Sequence, residues 1–172
     1  VMDFVVEFSI ISGGGLVNDS IKVIVLSDNQ GLARCEWRLG PTSGSRTQQV
    51  RISADGLQNS PILLFADVVP REAYAVRMVA GDSQTGYLGS SLAQELVCAV
   101  VDTFGNAIVG HPLRFEVRAG SAFFSGQNYY VTATDSVGQA AAQLTLGGKP
   151  GKIEVSATAY YNNKSLINSP LF

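Results

Sequence analysis

Three aspartates head short turn-like stretches: Asp28 in Ser27-Asp28-Asn29-Gln30-Gly31, Asp102 in Asp102-Thr103-Phe104-Gly105-Asn106, and Asp135 in Thr134-Asp135-Ser136-Val137-Gly138. A loop carboxylate can ligate calcium, or it can close a turn on its own backbone. Calcium takes about six to eight oxygens, usually from several carboxylates. Each stretch offers one carboxylate. Aspartate hydrogen-bonds its own backbone and glycine supplies positive φ, so turn capping is the expectation for all three and no metal site is assigned.

The other candidates are equally thin. His111 is the only histidine. It has no cysteine near it in sequence and no His-x-x-x-His spacing, so zinc and triad chemistry lack their parts. Trp37, Tyr129, Tyr130, Tyr160 and Tyr161 could stack on a sugar. Alternation puts Trp37 on a core face and turns one tyrosine of each adjacent pair outward. Two outward tyrosines form a platform only if the fold brings them together. Gly13-Gly14-Gly15 follows a strand, but no helix follows it to cradle phosphate at an N-terminus, so it reads as an inter-strand loop. Asn18-Asp19-Ser20 and Asn163-Lys164-Ser165 fit the short N-x-S acceptor pattern, which matters only with suitable machinery. No catalytic, cofactor-binding or metal-binding residue is assigned, and an enzyme is not expected.

Composition narrows the class further. The 172 residues are 46% hydrophobic and 15% charged, too apolar for a disordered chain. A formal charge of −2 and a pI near 5.3 provide no basic field for nucleic acid. No apolar run approaches the roughly 18 residues of a membrane helix. The opening Val1-Met2-Asp3-Phe4 lacks a positive n-region and a cleavage site, so any export signal is expected outside this sequence. Eighteen glycines and abundant Val, Ser and Thr point to an all-β protein.

The strands that must position these residues show period-two alternation. One face carries Val6, Phe8 and Ile10. A second carries Ala33, Cys35, Trp37 and Leu39; a third Leu113, Phe115 and Val117; a fourth Ala140, Ala142, Leu144 and Leu146. Charges fall on the opposite faces, as in an antiparallel sandwich with one solvated side per sheet.

The two halves then align. Phe8 matches Phe115, Gly13 matches Gly120, Asp28 matches Asp135, and Gly31 matches Gly138. Ala33 matches Ala140, Leu39 matches Leu146, Gly40 matches Gly147, and Gly44 matches Gly151. Each pair is 107 positions apart. Beyond Gly44 the register slips, so that residues 50–54 (VRISA) meet 153–157 (IEVSA), and Ser60-Pro61 meets Ser169-Pro170. Tandem copies of one unit are expected. The second copy reads as whole, with strands near 73–80, 92–101, 112–119, 128–134, 138–146, 152–160 and 166–172. Seven strands in about 100 residues suit an immunoglobulin-like sandwich. The first copy starts five residues before Val6 and lacks the opening strands.

Residues 79–120 carry Gly81-Asp82-Ser83-Gln84-Thr85-Gly86 and then Asp102-Thr103-Phe104-Gly105-Asn106 leading to Val109-Gly110. The closing half has Thr134 to Ala140 and Leu146-Gly147; the first copy has Trp37-Arg38-Leu39-Gly40-Pro41-Thr42-Ser43-Gly44. In these motifs the chain resembles group-1 bacterial immunoglobulin-like domains, the intimin/invasin type, over essentially its whole length. Ala107 stands where that family usually has proline. The resemblance implies tandem immunoglobulin-like sandwiches, placed in rows on bacterial surface or secreted proteins, acting mostly as stiff spacers and sometimes in adhesion. It implies no catalytic residues.

The expected layout is a partial unit at 1–66, a short linker at 67–71 and a complete unit at 72–172. Cys35 and Cys98 then lie in different cores. A disulfide needs Cα atoms within about 7 Å, so the two are expected to stay unpaired. The expected role is a non-catalytic structural or spacer module at the bacterial surface or outside the cell, with these residues a fragment of a longer tandem array, which would account for the partial first unit. Its partners would be neighbouring immunoglobulin-like domains of the same or another chain. The alternatives are a protein- or glycan-receptor-binding module, or a subunit of a surface filament or lattice assembled by strand complementation. Complementation is expected along an edge near residues 5–11. Nucleic-acid binding, membrane insertion and cofactors are not expected.

Overall fold

The computed structural model describes residues 2–172. Among these no helix occurs, and every strand ladder is antiparallel. The fold is all-β and of sandwich type. The chain forms two compact units that divide after Pro70.

Unit 1 contains β1 (Val5–Ser12), β2 (Leu16–Val17), β3 (Lys22–Leu26), β4 (Trp37–Arg38), β5 (Gly44–Ser53) and β6 (Ile62–Val68). Four of them form one sheet in the order β3-β1-β5-β6, and β2 pairs with β4 apart from it. Gly15 and Gly40 let two backbones cross at the tip of this pair: a Cβ on Gly40 would run into the Gly13–Gly15 backbone. Gln48 closes the same corner from a fully buried position. Its Nε2 donates to the carbonyls of Gly13 (3.2 Å) and Thr42 (2.8 Å), and its Oε1 accepts from the Gly40 amide at 2.9 Å.

Unit 2 contains β7 (Ala75–Ala80), β8 (Leu96–Val101), β9 (Pro112–Ala119), β10 (Ala122–Phe123), β11 (Tyr129–Ala133), β12 (Gln139–Ala142), β13 (Thr145–Leu146), β14 (Glu154–Tyr161) and β15 (Lys164–Ser165). One layer has the order β11-β9-β14-β15, the other β12-β8-β7, and β10 pairs with β13. Val76, Leu96, Cys98, Val100, Ala140 and Ala142 of one layer meet Leu113, Phe115, Val155, Ala157 and Ala159 of the other. Phe115 lies at the centre, with ring centroids 6.3 Å from Phe124 and 6.5 Å from Phe172.

The four-stranded sheets of the two units have matching members. β1 and β9, and β3 and β11, start 107 residues apart. β5 then corresponds to β14, so β3-β1-β5 and β11-β9-β14 are the same order; on the side of β14 where β6 would lie run β15 and, bonded to Val155 and Ala157, residues 170–172. The lead-in to the sheet also matches. The Ser27 amide donates to the Phe4 carbonyl, the Asp3 amide donates to the Ser27 carbonyl, and the Phe4 amide donates to Ser27 Oγ. In unit 2, Thr134, His111 and Gly110 repeat all three bonds.

Several sequence expectations need correction. Residues 33–36 form no strand, although they alternate correctly; only Trp37–Arg38 does. Residues 139–142, which lie 107 positions beyond 32–35, pair as β12 with β8 alone, and among the described residues unit 1 contains no such strand. Asp67 and Val68, placed in the linker, belong to β6. The strand expected from residue 92 starts at Leu96, and the one at 138–146 is interrupted at residues 143–144. Residues 166–172 form no strand. They cross between layers: Ile167 bonds to Tyr74 and Val76, and Pro170 and Phe172 bond to the β14 residues Ala157 and Val155. Asn168, at φ 55°, makes the bend. Finally, β1 is flanked by β3 and β5, so residues 5–11 present no free edge.

Candidate interaction face

The register of unit 1 puts Phe8 beside Val23 and Ile52, Ile10 beside Val50, and then Ile62 and Leu64 beside Ile52 and Val50. Alternation adds Val6 and Val25 to the same face. Such a face normally lies under a second layer. Here the buried apolar residues are Phe8, Val17 and Val50, with Gln48 buried beside them, while Ala33, Cys35 and Trp37 pack against them from above. At the β6 side the face is bare: Ile62 is 52% exposed and Leu64 45%. The residues lining the corresponding face of unit 2, Phe115, Val155 and Ala157, are at most 1% exposed.

The segment above this face is held at both ends and open in the middle. Leu32 exchanges bonds with Asp28, its carbonyl accepting the Asp28 amide and its amide donating to Asp28 Oδ1. Glu36 does the same with Asn18. The backbone groups of Ala33, Arg34 and Cys35 are bonded to no other described residue. Trp37 Nε1 is buried without a partner.

The three aspartates are turn caps. Asp28 Oδ1 accepts the amides of Gln30 and Leu32, Asp102 Oδ1 those of Phe104 and Asn106, and Asp135 Oδ1 those of Val137 and Gln139. The glycine three residues on donates back to each aspartate carbonyl and has positive φ. The bond from Leu32 leads those that hold the Asp28 carboxyl below its ordinary range, helped by Gln30 and Arg34. Asp102 is almost wholly buried. Burial pushes its carboxyl up, but bonds from the Asn106 side chain and the Arg71, Asn106 and Phe104 amides outweigh that and hold it low. Among the described residues no three His, Cys, Asp or Glu side chains converge.

Both cysteines are free. Burial raises Cys35 and pushes Cys98 up to about 12, so neither is an activated thiol. His111 lies at the start of β9, its amide bonded to Thr134 Oγ1 and its Nε2 buried without a partner. Gly13-Gly14-Gly15 is the loop between β1 and β2.

The tyrosines do not make one platform. Tyr129 pairs with Glu116 and shares its outward side, while Tyr130 pairs with Phe115 and stacks at 6.3 Å on Phe124. Tyr161 bonds to Glu72, which raises its hydroxyl pKa. Tyr160 faces outward with Ser165. The Arg114 guanidinium covers the Tyr129 ring at 4.3 Å, and Tyr160 lies two strands away on another row. Between them Glu116 is bracketed by Arg114 and Arg118, both at 3.1 Å. A cavity of about 380 Å³ opens at one end of unit 2, over Leu92, Leu144 and Phe172. Its ionisable lining residues are Asp82 and Lys152.

The molecule is thus an all-β sandwich protein, and the unit 1 face leaves Ile62 and Leu64 exposed. No family model matches the chain, and no curated protein matches it. Among solved structures it is similar to Parabacteroides merdae beta-glucuronidase in two crystal structures, one with glycerol in the active site. Identity is 14% in both, with TM-scores of 0.35 and 0.36, over 99% of this chain and 20% of that chain. The chain spans a fifth of that enzyme's length, and a likeness at this score bears on neither its fold nor its activity.

Proposed function

We propose that the chain is a non-catalytic structural module: two copies of one immunoglobulin-like unit, of the group-1 bacterial kind, acting as a spacer in a bacterial surface or secreted protein. The observation that carries this reading is the shared strand order β3-β1-β5 and β11-β9-β14, with a 107-residue offset in the leading strands. The bonds at Ser27 and Thr134 extend it to the loops. The surface location and the bacterial kind rest on the motifs at residues 81–86, 102–110 and 134–147.

A spacer must resist extension. Pulling the chain between its ends should give two unequal events. The stronger is unit 2, whose 102 residues (Arg71–Phe172) add about 3.4 Å each when unfolded. Extension without a resisting step would contradict the spacer role.

A further inference from the structure

We infer that β3 is a self-pairing edge: two copies of this chain join antiparallel through it, about a two-fold axis at Ile24. β3 is the outermost strand of its sheet and pairs with β1 alone. The Ile10 amide donates to the Ile21 carbonyl, and the Ser27 amide to that of Phe4, so the odd-numbered residues from Ile21 to Ser27 face β1. Alternation turns the amides and carbonyls of Lys22, Ile24 and Leu26 away from the sheet. Those of Ile24 and Leu26 bond to no other described residue, and the Lys22 amide reaches only Ser20 Oγ, at 3.4 Å. The free side is intrinsic to this place in the unit. β11, 107 residues on, also pairs on one side only, although β7 and β8 are present there. Edge strands are usually blunted by proline, charge or a bulge. Residues 21–26 (IKVIVL) contain no proline, their register with β1 is unbroken, and their one charge is held by Glu7 at 2.7 Å. Ile21, Ile24 and Leu26 are each more than half exposed.

The occupant is a second copy because β3 is complementary to itself. Antiparallel pairing about Ile24 sets Ile24 against Ile24, Val23 against Val25 and Lys22 against Leu26 of the second copy. Each outward amide then meets an outward carbonyl. On the core side, the row Ile52, Phe8, Val23 runs on into Val25 and Val6 of the second copy, apolar throughout. Val23 and Val25, half-buried in one chain, become interior. No like charges are opposed. Glu7 lies beside Ile24, so the two Glu7 carboxylates stand three strand spacings apart, roughly 14 Å, beyond the screening length of about 8 Å.

The other edges fit less well. β11 paired with itself about Val131 would set the phenol of Tyr130 against Thr132, and Arg114 already covers Tyr129. β6 carries Asp67, and Arg46 is stacked on Phe65 at 3.7 Å. A contact from β3 to β6 would also leave a free edge at each end and extend without closing, whereas the two-fold contact closes on itself. Five residues of about 3.3 Å make a contact about 17 Å long. That is at the small end for a specific interface, so the pairing is weak and depends on concentration.

The test is sedimentation equilibrium of the full chain from about 5 to about 500 µM, with reductant present so that Cys35 cannot cross-link. The mass should rise from 18.2 kDa towards twice that value and stop there. Ile24→Lys changes an exposed side chain and should weaken association about tenfold or more, with Trp37 emission unchanged. Val131→Lys, at the matching place in β11, should leave association as it was. Hydrogen exchange at the Ile24 and Leu26 amides should slow about tenfold at the concentration where pairs dominate, while the Val23 and Val25 amides, which face β1, change little. A chain that stays at 18.2 kDa over the whole range overturns the inference. Association that survives Ile24→Lys, is lost in Val131→Lys, or leaves the Ile24 and Leu26 amides unprotected places the contact elsewhere and also overturns it. A mass that climbs past two copies assigns an open contact such as β3 to β6 and overturns the two-fold pairing.

Discussion

Asp28 and Asp135 hold the same turn 107 residues apart: each Oδ1 accepts the amides two and four residues further on, at 2.9 Å. Each is followed by a glycine at positive φ, Gly31 at 78° and Gly138 at 75°. Asp102 builds a third copy with Gly105 at 85°. The carboxylate satisfies two amides that the turn removes from the ladder, which is why one aspartate suffices and no ion is needed to order the loop.

Asp135→Ala should therefore destabilise unit 2 by about 1 kcal/mol, the usual net worth of hydrogen bonds of this kind. Asp135→Asn keeps an acceptor oxygen and should cost less. Asp28→Ala should act in the same direction on unit 1 alone. Urea unfolding followed by Trp37 emission reports unit 1, since Trp37 is the only tryptophan. Tyrosine-region circular dichroism follows unit 2.

Asp102 should tie the stability of unit 2 to acid. Its carboxyl is held below the ordinary carboxylate range in the folded state, so the unfolded chain binds its proton at higher pH. The stability it contributes is present above the unfolded pKa, near 3.8, and is lost as pH falls below that toward the folded value. Thermal melts between pH 6 and 2 should show unit 2 weakening over that range. Asp102→Asn should flatten the slope while lowering stability at neutral pH, and an unchanged slope would contradict the assignment.

The thiols should separate the two units. Cys98, raised from an ordinary 9.0 to about 12 by burial, should resist alkylation until unit 2 opens. Cys35, under a thinner cover, should label faster. The sign at high pH follows. The Cys98 contribution is intact below the unfolded pKa of 9.0 and declines as pH rises from there toward 12. Equal labelling rates at neutral pH would contradict the two-core picture.

Much of this fold is legible in residue order. Phe8 and Phe115, Asp28 and Asp135, and Gly40 and Gly147 mark the correspondence in the sequence alone, and alternation finds β1 and β9. What alternation cannot report is whether a partner exists. Residues 33–39 have a strand's pattern, yet the backbone of 33–35 bonds to no other described residue, because no described strand of unit 1 lies where β8 runs in unit 2. Gln48 shares its face with Val50 and Ile52, and that polar residue at an inward position is the one local sign of a buried corner. The crossing at Ile167 to Phe172 depends on tertiary bonds to both layers, which no local pattern carries. The open face itself is a statement about missing neighbours, so it becomes visible only when Ile62 and Leu64 are seen uncovered beside the buried Val50.

The most direct measurement is amide hydrogen exchange on the isolated chain, comparing residues 33–35 with their counterparts 140–142. An unpaired segment over a half-covered sheet should exchange almost as fast as a free peptide, whereas 140–142, bonded to β8, should be protected by several orders of magnitude at the same pH. Equal, strong protection of both segments would show that unit 1 is closed by its own residues, and the incomplete-sandwich account would be wrong.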